Sequence, residues 1–110
     1  MQRHPDFAPV QSILIPFIHN GAGLHALDAA RQFDADIILV GVVVVPEGQS
    51  LSTGAVEARA LRRTLKIHGR DKSIISKNQV IVSHHPWEEL SNLIQDENPD
   101  LLCLEFDSHL

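Results

Sequence analysis

Asp36 to Val45, DIILVGVVVV, is apolar at every position after its first residue. A strand with one face in water alternates apolar and polar side chains, and this run has no polar face at all. It must be covered on both sides, as a strand is in a parallel sheet with helices packed on each face. The uninterrupted apolar stretch from Ile37 to Val45 is nine residues long, Gly41 included. A bilayer-spanning helix needs about 20, so the run reads as a buried strand.

Upstream, Ser12 to Ile18 (SILIPFI) is a second nearly continuous apolar run. Pro16 has no N–H to give a ladder, which predicts a place at the strand's end or beside a bulge. His19-Asn20-Gly21-Ala22-Gly23 turns the chain. Asn20 is then a cap for a helix reaching about Phe33, with Leu24, Leu27, Ala30 and Phe33 at helical spacing. Residues 1–11 carry Pro5 and Pro9, show no period and read as a flexible arm, leaving 12–110 as a single domain.

Downstream, Pro46 to Gly54 is a turn-rich, mobile connection. Between Ala55 and His68, Val56, Ala60, Leu61, Thr64, Leu65 and Ile67 form an apolar face, with arginines opposite and Gly69 as the stop. Gln79 to Ser83 is a third strand. Pro86 opens a helix with Glu88 and Glu89 in its first turn and Trp87, Leu90, Leu93 and Ile94 on its apolar face. Asn98-Pro99 ends it before a fourth strand, Leu101 to Phe106 (LLCLEF). Strands alternating with single helices imply an α/β class with parallel pairing through right-handed crossovers.

Composition narrows the function classes. The chain of 110 residues is one domain's worth, and its apolar fraction of 44% and charged fraction of 21% are those of a globular protein. The N-terminus lacks a secretory pattern, and one cysteine cannot form an internal disulfide; both point to a cytoplasmic protein. A net charge of −5 argues against nucleic acid as the main partner. The charge is unevenly spread: seven of the nine basic residues lie between Arg59 and Lys77, while from Glu88 onward there are seven acidic residues and no Lys or Arg. Two solvated helix faces account for this, as would self-association or an acidic partner.

The stretches ILIPF, GLHALDAARQFDADI, ILVGVVVVPEG and HPWEELSNLIQDENPDLLCLEF together resemble the universal stress protein (UspA-like) family over about residues 12–106. The resemblance implies a three-layer α/β/α, Rossmann-like parallel sheet in the order 3-2-1-4, here without the family's fifth strand. It implies a nucleotide site at the carboxyl ends of the first, second and fourth strands, on Pro16 and Ile18, Val42, and Leu104 with Glu105. It also implies departures from ATP-binding members. Ile18 stands where they have an aspartate, and Leu104-Glu105 where they have Met-Gly. The phosphate-cradling G-x2-G-x9-G-[ST] run has no counterpart, since no glycine follows Gly69. Backbone N–H groups grip phosphate only where glycine permits close approach.

The expectation is therefore a non-catalytic regulatory domain of stress response with a degenerate or incomplete nucleotide site and no cofactor of its own. The alternative is an ATP- or AMP-binding stress sensor whose phosphate loop lies outside this chain. An uncovered fourth-strand edge calls for a homodimer partner or a further C-terminal segment. The resemblance adds fusion to a glycosyltransferase, transporter or kinase as the setting of such a domain, with no insertion into the membrane.

Other sites are weaker. Gly21, Ala22 and Gly23, with His19 nearby, offer an anion loop at a helix start, and a tight turn explains the same residues. Adjacent His84 and His85 point to opposite faces of an extended chain, and the remaining histidines lack ligand spacing, so no metal site is read. Cys103, between leucines, reads as a small buried apolar residue, and nothing resembles a nucleophile elbow.

Overall fold

The computed structural model describes residues 9–17 and 23–104. They form β1 (Ser12–Phe17), α1 (Leu24–Ala30), β2 (Asp36–Val44), α2 (Ala55–Asp71), β3 (Ser76–Ser83), α3 (Pro86–Glu97) and β4 (Leu101–Leu102). The four strands are parallel throughout and ordered β3-β2-β1-β4. This is the three-layer α/β/α sheet that the apolar runs demand.

The two innermost strands are the two most apolar ones. β2 is buried continuously from Ile37 to Val43, and β1 from Ile13 to Phe17. Odd-numbered residues of both strands, Ile13, Ile15, Phe17, Ile37 and Leu39, pack with Ala26, Leu27 and Ala30 of α1 and Leu65 of α2. Even-numbered Leu14, Ile38 and Val40 pack with Leu90, Leu93 and Ile94 of α3 on the other face. The strand period of two thus deals one apolar run to two cores.

The edge strand β3 keeps polar residues. β3 begins at Ser76, three residues before the apolar run QVIVS, because Ser76, Lys77 and Asn78 pair with Ile37, Ile38 and Leu39 while their side chains stay near water. β4 is shorter than the LLCLEF run: it ends at Leu102, although the Cys103 N–H still donates to the Leu14 carbonyl at 3.1 Å. Ser12 and Leu14 both turn their carbonyls toward β4. By the alternation of a parallel ladder, Pro16 presents its nitrogen on that side, with no hydrogen to donate. The pairing stops where the proline removes a donor. Pro16 itself lies in register with Val40, one residue from the end of β1 and without a bulge.

Several helix boundaries differ from the sequence reading. α1 starts from Gly23, not from an Asn20 cap, and ends at Ala30; Phe33 lies past it, 44% exposed. α2 continues through Gly69 to Asp71. Its end is a Schellman motif in which Ile74 N–H bonds Gly69 O, Ser73 N–H bonds Arg70 O, and Ser73 takes a left-handed φ of 58°. Gly69 serves proximity instead: a Cβ there would sit 3.3 Å from Ser76 Oγ.

The buried face of α2 is also rotated from the expected one. Ala58, Leu61, Leu65 and Gly69 face the sheet, while Val56, Ala60 and Ile67 are exposed. Trp87 on α3 is likewise outside, 58% exposed. The connection 46–54 closes with a single 3-10 turn, Leu51–Gly54, capped by Ser50 Oγ accepting from Ser52 N–H. Val10 and Gln11, placed in the arm by sequence, belong to the body. Val10 packs on the core, and the Gln11 carbonyl accepts from Asp36 N–H at 2.8 Å. Residues 1–8 lie outside the described residues.

Candidate functional site

β1 leads through α1 to one neighbour, and β3 leads through α3, on the opposite face, to β4 on β1's other side. The chain therefore reverses direction between β1 and β4, and that reversal is where an open α/β sheet forms a crevice at its carboxyl ends. Of the residues predicted for a nucleotide there, Pro16 and Val42 are buried, and both lie on the face of the sheet covered by α3. Leu104 follows β4 and is 47% exposed. Ile18 and Glu105 lie outside the described residues. The described members are hydrocarbon, two of them closed to solvent.

On the opposite face the end of β1 is filled. The Phe17 ring is 1% exposed and stacks on His68 of α2, with centroids 6.1 Å apart and planes 21° apart. It also presses against Gly23, the left-handed residue (φ 109°) that opens α1. Gly23 is the described part of the predicted anion loop; Gly21, Ala22 and His19 lie outside the described residues. A helix of seven residues opened by a glycine without a side-chain cap accounts for Gly23 as a turn.

A polar group stands at the ends of β2 and β3. Val45 N–H donates to Ser83 O at 2.9 Å, and His84 Nδ1–H donates to the Val45 carbonyl at 2.8 Å. The buried Ser83 hydroxyl accepts from His85 N–H at 2.9 Å. His85 Nε2 lies 2.8 Å from Glu47 Oε1, both side chains well exposed. The sequence reading put His84 and His85 on opposite faces and named no partner for either. The signal was present: parallel neighbours ending at Val45 and Ser83 bring residues 45–47 beside 83–85. Among the described residues no group of three or more His, Cys, Asp or Glu is placed to hold a metal ion.

Among the described residues, two groups have their titration displaced by their surroundings. The Lys72 ammonium, hydrogen-bonded to Asp28 Oδ1 at 2.6 Å, holds the Asp28 carboxyl below the usual carboxylate range. Partial burial pushes the Cys103 thiol up, away from the thiolate a nucleophile needs.

No family model matches this chain, and no curated protein matches it. Among solved structures it is similar to protein Rv1636 from Mycobacterium tuberculosis, with a TM-score of 0.63 and 18% identity over 91% of this chain and 74% of that one. At that identity the likeness is one of fold: a Rossmann-like α/β/α sheet of the type the universal stress protein resemblance implied.

Proposed function

We propose that this chain is a non-catalytic regulatory or interaction domain, universal-stress-protein-like in fold, whose nucleotide site is incomplete. One observation carries the reading: the described positions where adenine and ribose would lie are Pro16, Val42 and Leu104, and none has a side chain that can donate or accept a hydrogen bond. A site that binds a nucleotide needs a few convergent polar groups within its apolar lining. The raised thiol of Cys103 gives no support to a thiolate nucleophile. Among the described residues no helix is long and apolar enough to cross a membrane.

Isothermal titration calorimetry with ATP and with AMP tests this directly. The expected result is no saturable heat from either nucleotide. A one-to-one isotherm with a Kd below about 1 mM would overturn the reading.

A further inference from the structure

We propose that the free edge of β3 is a docking site for an extended acidic peptide, which adds to the sheet as a further strand beside the cationic flank of α2. This goes beyond the nucleotide question and stands or falls separately from it.

β3 is the last strand of the order β3-β2-β1-β4, and no described strand lies beyond it. Ser83 turns its carbonyl to Val45 N–H at the end of β2. By the alternation of a parallel ladder, Ser76, Asn78, Val80 and Val82 turn their N–H and C=O groups the other way, outward. These open positions span about 20 Å, and none of the four residues is fully buried. Edges that must stay unpaired carry free lysines, a proline or a bulge. β3 has no proline, and its register with β2 is continuous from Ser76 to Ser83. Its one charged residue, Lys77, is tied to Glu97 at 2.7 Å. The edge is undefended.

α2 supplies the charge. Gly69 sits over Ser76, and Ala58 packs with Val80 and Val82, so the helix runs the length of β3. His68 stacks on Phe17 of β1, which fixes that flank of α2 as the one toward the middle of the sheet. Lys66 stands two residues before His68, about 200° round the helix, on the flank toward the free edge. Arg59, Arg62 and Arg70 join it at steps of three and four residues, in a row about 16 Å long. All four are exposed and pair with no carboxylate of the described residues. Neither acid of α2, Glu57 or Asp71, stands three or four residues from any of them.

The two features select one occupant. An open row of N–H and C=O groups is matched only by another extended backbone. Side chains of an added strand alternate between faces, so every second one lies on the α2 side, where carboxylates meet the row. A nucleic acid or polyphosphate answers the cations but has no peptide ladder to offer. A second copy pairing antiparallel through its own β3 brings its α2 to the same side of the joined sheet, because directly opposed residues share a face. Its cationic row then repels this one. The exposed carboxylates of α3, Glu88, Glu89 and Asp96, belong to the opposite face of the sheet, and salt screens charges more than about 8 Å apart. The α2 cations therefore set the field on their own side, whatever the net charge of −5.

The probe is a fluorescein-labelled peptide of about seven residues, alternating glutamate and valine, long enough to cover the edge. Titrated into the full chain, it should show saturable anisotropy with a Kd below about 1 mM. Amide exchange should slow on binding at Ser76, Asn78, Val80 and Val82. The double variant Arg62→Glu with Lys66→Glu, checked for folding by circular dichroism, should bind at least about tenfold more weakly. The same peptide N-methylated at every residue keeps its charge, loses its donors and should not bind. Absence of binding by the unmodified peptide overturns the proposal, as does a double variant that binds like the wild type. So does equal binding of the N-methylated peptide or of an oligonucleotide of the same charge, which would make the surface a general polyanion site. Self-association of the chain alone that protects the same amides would give the edge to a second copy and overturn it as well.

Discussion

The Phe17 ring occupies the space a side chain at residue 23 would need: an ideal Cβ on Gly23 lies 2.9 Å from two of its ring carbons. The same residue holds a φ of 109°, a conformation that L side chains rarely adopt. Gly23→Ala therefore meets both strain and a clash with a fully buried ring. The variant should lose about 1–3 kcal/mol of stability in urea denaturation. A midpoint equal to the wild type's would refute the close approach.

Gly41, in the middle of β2, makes room for α2 in the same manner. A Cβ there would lie 2.5 Å and 2.6 Å from Leu61 side-chain carbons. Gly41→Ala should destabilise by about 1–3 kcal/mol through overpacking. Leu61→Ala should leave a gap, and the double variant should lose less than the two singles added together. A double-mutant cycle measures that coupling; strict additivity would show that residues 41 and 61 do not touch.

The Asp28–Lys72 pair joins α1 to the end of α2. Because the folded carboxyl titrates below its ordinary range, its contribution is fully present above the unfolded-state pKa and is lost as pH falls through the folded one. Asp28→Asn should thus be less stable than the wild type near neutral pH, and the difference should close in acid. Half-exposure of the Asp28 side chain makes the effect small and screened by salt. Denaturation curves at several pH values give the answer, and a gap that widens in acid would contradict it.

Asp100 ties the start of β4 to the start of β1. Its Oδ2 accepts from Gln11 N–H at 2.7 Å and Ser12 N–H at 3.2 Å. Asp100→Ala should cost about 1 kcal/mol and speed hydrogen exchange at residues 11 and 12. Unchanged exchange there would mean the carboxylate is not what holds this end of β1.

Much of the architecture was legible in the chain, and the reasons are local. A run such as DIILVGVVVV has no polar face to turn to water, and single helices between strands leave only parallel crossovers. Helix phase was not legible. The period of α2 is clear, but Val56 and Ile67 qualify as core residues as well as Ala58 does. Close approach decided between them: Gly54, whose Cβ would meet Val82 at 2.9 Å, and Ala58 let α2 lie low on β2 and β3. The bulkier aliphatics were rotated into solvent. The polar first half of β3 was missed because an edge strand needs only one apolar margin.

The amino-acid order alone determined the α/β class, the covering of β2 on both faces and the separation of basic from acidic segments, because burial period and charge are properties of neighbouring residues. Only the tertiary structure decided that Pro16 ends the ladder to β4, that His84 and His85 meet Val45 and Glu47, and that Trp87, Val56 and Ile67 face outward. Those outcomes depend on the register and distance between segments far apart in the chain, and side-chain volume and backbone donors settle them only once the layers are brought together.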